Sequence, residues 1–168
     1  MTDDPFIDLI VESLNLMHPR FAGANGLGYA VAEPTAGGKW RELPVLLEFY
    51  HQFRHLWDKA LPVQLGLGHL MVQDDPCNTP GPDLLFWQLG EQGQPDRRLG
   101  AVSLVFVSNT SRIDFELLAL NRYRNRGFST AVCVIVGRVA EVPATGLPSA
   151  PGVVVVLFDT DRWSAVVT

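Results

Sequence analysis

Cysteine is scarce in this chain. Cys77 and Cys133 are the two present in 168 residues, too few for the disulfide framework that staples small secreted domains. Cys77 follows Pro76 in a loop-like stretch and Cys133 sits inside a strand-like run, so one loop thiol and one buried core thiol are expected. Long apolar runs are also missing. The longest, such as residues 153–158, have strand length, against the ~20 residues a helix needs to cross a bilayer. Basic residues are in deficit, with 13 Lys and Arg against 18 Asp and Glu and a formal charge of −5. Nucleic-acid affinity rests largely on neutralising phosphates, so this balance disfavours a non-specific phosphate binder without excluding a local basic face. The opening Met1-Thr2-Asp3-Asp4-Pro5 is acidic where a signal peptide is basic. The expected location is cytoplasmic, with no membrane attachment.

Several catalytic signatures are absent as well. No Gly-x-Ser-x-Gly elbow occurs, and no Ser/His/Asp or Cys/His constellation follows from spacing. Gly23-Ala24-Asn25-Gly26-Leu27-Gly28 superficially suggests a phosphate loop, but it follows no strand, opens no helix and contains no lysine. His51 and His55 stand four apart, a helical spacing that can grip zinc from one face. Asp58 is only a loose third ligand, and there is no His-Glu-x-x-His pattern or nearby cysteine, so surface or interface histidines are expected. His18 and His69 add nothing specific.

What the chain does have is core-forming material. Its 47% apolar and 18% charged residues suit one folded domain rather than a disordered segment. Asp4-Pro5 reads as an N-cap with proline at the first helical position. Phe6, Leu9, Ile10, Leu14 and Met17 then follow at helical spacing. Residues 22–38, rich in Gly, Ala and Pro, read as a short strand or an arm. A second helix is expected over 42–60, with Leu43, Leu46, Leu47, Tyr50, Phe53, Leu56 and Trp57 on one broad apolar face. Alternation then predicts strands over 63–72 and 83–89, separated by an Asp/Pro-rich loop. A polar turn over 91–98 leads to a third strand over 99–107, apolar on both faces and hence central. A third helix is expected over 112–126, with Phe115, Leu117, Leu118, Leu120 and Tyr123 inward and Gly127 as its cap. Further strands are expected over 130–136, 153–158 and 163–167. Trp40, Trp57, Trp87 and Trp163 are candidate core or interface anchors.

From residue 42 onward the order is helix, three strands, helix, strand. Three consecutive strands suit an antiparallel meander, and a strand after a crossover helix can pair in parallel. The expected fold class is therefore α/β, with a mixed sheet flanked by helices.

That order resembles the core of the restriction-endonuclease-like, or PD-(D/E)XK, superfamily. Leu47-Glu48-Phe49-Tyr50-His51-Gln52-Phe53-Arg54 is similar to the opening helix of bacterial members, where a glutamate faces the site and a Tyr-His-Gln-Leu-Arg-like run follows. Pro82-Asp83-Leu84-Leu85-Phe86 resembles the Pro-Asp that opens the second core strand. Asp114-Phe115-Glu116-Leu117-Leu118 resembles the Asp-Leu-x-Lys-Leu start of the second core helix. The likeness spans about 42–137. It implies an αβββαβ core within a single domain at 42–168, preceded by a helix and Gly/Pro-rich arm at 1–41 and followed by extra strands.

Family chemistry, as the resemblance implies it, needs carboxylates holding magnesium, a hard cation that prefers oxygen ligands. The metal activates a water and stabilises charge on phosphate, helped by a lysine two residues after an acid on the third strand. Spacing of i and i+2 is what places two side chains on one face. By distance to Asp114 this pair should fall near Phe106 and Ser108, yet residues 99–107 contain no Asp, Glu or Lys.

Glu48 and Asp83 remain as remnant candidates, with Glu116 or Asp114 as a helix residue able to join them. The expectation is a non-catalytic domain with a degenerate metal site and no cofactor, binding a protein partner or its own copy. One alternative is a magnesium-dependent nuclease with a rearranged site built on Glu48, Asp83 and Glu116. The other is a nucleic-acid-binding domain without cleavage, using the basic tip at Arg122, Arg124 and Arg126.

Overall fold

The computed structural model describes residues 4–18, 39–60, 81–88, 95 and 97–168. The expected strand over 63–72, the arm over 22–38, Cys77, His69 and most of the 91–98 turn lie outside the described residues. So do the side chains of Trp40 and Asp58.

Helix α1 spans Pro5–Leu16. Asp4 caps it as its sequence suggests, accepting from Phe6 N–H at 2.9 Å, which satisfies one of the amide donors a helix leaves open at its start. The other carboxylate oxygen of Asp4 accepts from Thr130 Oγ1 at 2.7 Å. One side chain thus ends a helix and ties it to the sheet.

Helix α2 spans Lys39–Ala60, with Pro44 inside it. Its buried stripe is Val45, Phe49, Phe53 and Trp57, successive i+4 positions along one line of the helix. This corrects the face read from the sequence: Leu47 is 54% exposed, whereas Val45 and Phe49 are fully buried. Apolar residues cover more than half the helix circumference, so periodicity alone left the buried direction open.

Strands β1 (Leu84–Gln88) and β2 (Arg97–Phe106) pair antiparallel. Helix α3 (Thr110–Asn125) then crosses to β3 (Thr130–Gly137), which runs parallel to β2. Strand β4 (Val154–Asp159) is parallel to β3, and β5 (Ser164–Val167) returns antiparallel to β4. The sheet is mixed, in the order β1-β2-β3-β4-β5. The chain is an α/β fold with helices on both sheet faces. Among the described residues no helix is long and apolar enough to cross a membrane.

Alternation along the strands divides the interior in two. Val102, Leu104, Val132, Val134 and Val136 pack with α1 and α2. Ala101, Val105, Ala131, Cys133 and Ile135 pack with α3. In the first core Phe6, Phe53 and Phe86 form a ring cluster with centroids 4.8–5.6 Å apart, tilted or edge-on as aromatic quadrupoles favour. Phe6 lies directly over Gly100, where an added Cβ would collide with its ring. The expectation for α3 is also corrected in part. Leu117 and Leu120 are buried as expected, but Phe115 and Leu118 face outward, and Ile113 and Glu116 take the inward positions.

Candidate functional site

The sheet register brings the site's chemistry into a line. Leu84 lies opposite Val102, and Ser103 lies opposite Cys133. Asp83, one residue before β1, is therefore level with Ser103, and its Oδ2 accepts from Leu104 N–H at 2.7 Å. The expected acid-x-lysine position near Phe106 and Ser108 lies further along. Phe106 ends β2, and Ser108 is exposed in the turn after it.

Glu116 projects from α3 onto this row. It is 1% exposed. Its Oε2 accepts from Ser103 Oγ at 2.9 Å, and its Oε1 meets Arg112 Nε at 3.3 Å one helical turn earlier. A charged carboxylate survives burial only with such partners. Cys133 feels the same surroundings. Burial foremost, then the negative fields of Glu116 and Asp83, push its thiol from 9.0 up to about 12, against an opposing pull from Arg112. Cys133 is therefore a fully protonated core thiol at neutral pH, a poor nucleophile and a poor metal ligand.

Asp83 and Glu116 thus share the α3 side of the sheet. Glu48 does not join them. It stands on α2 where that helix meets the end of α1, accepting from Gln52 Nε2 at 2.9 Å and from His18 N–H at 3.4 Å. Helices α1 and α2 cover the opposite sheet face, so the sheet itself lies between Glu48 and Glu116. Asp114, the other helix acid, is exposed.

Magnesium chemistry needs several oxygen ligands converging on one point. Here one carboxylate is held by a backbone amide and another by a hydroxyl and a guanidinium. Among the described residues no three His, Cys, Asp or Glu side chains gather closely enough to hold a metal ion. Residues on the α3 face of β2 are Ala101, Ser103 and Val105, and those on the other face are Val102 and Leu104. Neither face of β2 carries an acid or a lysine beside Asp83, so the described residues alone do not make up the magnesium centre that the resemblance implies. His51 and His55 are both exposed on α2.

The basic tip is partly consumed within the fold. Arg124 Nη1 donates to the Phe128 carbonyl at 2.8 Å. Arg126 lies over the Tyr123 ring at 5.2 Å, and its carbonyl accepts from Arg98. These contacts close the turn at Gly127, whose φ of +94° marks the left-handed cap expected there. The Arg122 side chain is exposed and forms no ion pair or side-chain hydrogen bond with the other described residues.

Ser103 and Arg112 were not singled out from the sequence. Ser103 had a signal, since it is the only hydroxyl within the apolar run at 99–107. Arg112 had none, because an arginine in the first turn of a helix usually reads as solvated. No family model matches this chain, and neither a curated protein nor a solved structure is found to be similar to it.

Proposed function

We propose that this chain is a non-catalytic relative of the restriction-endonuclease-like superfamily, acting in the cytoplasm as a protein-binding or assembly module. The observation that carries this reading is the inner strand β2, whose residues 101–106 are apolar on both faces apart from Ser103 and set no acid or lysine beside Asp83. Supporting it, Asp83 gives its carboxylate to a backbone amide and Glu116 gives its own to Ser103 and Arg112. A domain whose would-be ligands are spent on internal hydrogen bonds has surface, not chemistry, to offer.

The metal-dependent nuclease reading narrows to Asp83 and Glu116, since Glu48 is across the sheet. Cleavage assays on single- and double-stranded DNA and RNA, with magnesium or manganese, separate the two. The wild-type chain is expected to cleave no faster than its Asp83→Asn variant. Cleavage that is metal-dependent and lost in Asp83→Asn would replace the assembly reading with the enzymatic one. Binding to nucleic acid that weakens steeply with salt, without cleavage, would favour the Arg122 surface instead.

A further inference from the structure

We propose that the partner is a second copy of this chain, docked antiparallel along the outward stripe of α3. The inference rests on the assembly-module reading and names its occupant. Ser111, Asp114, Phe115, Leu118, Arg122 and Asn125 recur at three- and four-residue spacing, the geometry of one continuous helix face. All six are exposed. At the centre of that face Leu118 is 61% exposed and Phe115 40%, while Leu117 and Leu120 on the inward side are buried in the α3 core.

What points to a second copy is the symmetry of charge about Leu118. Asp114 stands one turn before it and Arg122 one turn after, and neither forms an ion pair within the chain among the described residues. Two such helices laid antiparallel about a twofold axis at Leu118 set each Asp114 opposite the Arg122 of the other copy. The two Leu118 side chains meet on the axis, with Phe115 flanking them on each side. An isologous contact requires this kind of self-complementary patch. A parallel arrangement would set like charges side by side.

The remaining arginines of the tip do not compete, since Arg124 and Arg126 are turned to Phe128 and Tyr123. The contact is modest in size, a helix pair rather than an extended face, so its association is weak and concentration-dependent. Apolar burial by Leu118 and Phe115 supplies the attraction, and the two ion pairs set the register.

Sedimentation equilibrium of the full chain, from micromolar to millimolar concentration, tests this. The wild type is expected to dimerise reversibly, and Leu118→Asp to remain monomeric. Arg122→Glu sets two acids against each other at both symmetric positions and should weaken the dimer about tenfold. Combining it with Asp114→Arg reverses both charges and should restore wild-type affinity. All three positions are exposed, so circular dichroism should show the fold retained. A dimer indifferent to Leu118→Asp, or one the charge exchange does not restore, would overturn this interface while leaving an assembly role through another face. A monomer at every concentration would overturn it too, and the cleavage assays would still decide the assembly reading separately.

Discussion

Removing the Glu116 carboxylate strips Ser103 and Arg112 of a shared acceptor in a region closed to water. Glu116→Ala is accordingly expected to destabilise the fold by about 3–5 kcal/mol, the range for breaking a buried charged pair. Ser103→Ala should cost only about 1 kcal/mol, since Arg112 still answers the carboxylate. Urea denaturation of both variants gives the comparison. Equal losses would mean that the Arg112 contact contributes nothing. Cys133 provides a second test through pH. Its thiol is held protonated in the folded state to about pH 12, whereas the unfolded chain releases that proton near 9.0. Between those values the folded state binds more protons than the unfolded one, so stability is fully present below about 9 and falls as pH rises toward 12. Cys133→Ser should flatten that limb of the stability curve. The expected reading of Cys133 as a core thiol was legible because a cysteine within a run of Val, Ile and Ala has no polar neighbour to activate it. Glu116 was visible only as an acid on a helix; nothing in its spacing could tell that the sheet would bury it.

At the scale of elements, Asp4 and Gly100 connect α1 to the sheet. Asp4→Ala loses both the Phe6 amide cap and the Thr130 hydroxyl contact. It should cost about 1–2 kcal/mol, toward the upper end for a helix cap, measurable as a lowered Tm. Thr130→Val isolates the second contact, and a full-sized loss in that variant would place the effect in the sheet rather than the helix. Gly100→Ala pushes a methyl group into the Phe6 ring. A loss of about 1–3 kcal/mol is expected for such overpacking, relieved when Phe6→Leu is added.

Among the described residues the strands were the most legible elements, because a residue type that alternates or runs apolar over five to eight positions admits few alternatives. Helix faces were less so. In α2 the apolar residues Leu46, Leu47, Tyr50 and Leu56 surround the buried line of Val45, Phe49, Phe53 and Trp57. Only the position of the sheet chooses among them. In α3 the outward Phe115 and Leu118 looked like core for the same reason.

Across the whole molecule, an α/β fold with a mixed sheet was readable from element order, and the pairing of β2 with β3 follows the parallel crossover that the order suggested. The parallel pairing of β4 with β3 was not, because the connection between them holds only a short 3-10 turn at Val139–Glu141 rather than a crossover helix. The separation of Glu48 from Glu116 could not be read either. Acids on two helices look equivalent in sequence until the sheet places one helix on each face. That residues 99–107 carry no Asp, Glu or Lys needed no geometry to read, because a strand without them cannot supply them in any register.

The most direct measurement is titration of the protein with manganese, following free Mn²⁺ by its electron paramagnetic resonance signal. With Asp83 and Glu116 committed to internal donors, the wild type should leave the free-ion signal unchanged to millimolar manganese, as should Asp83→Asn. Stoichiometric capture of manganese by the wild type, abolished in Asp83→Asn or Glu116→Gln, would contradict the account.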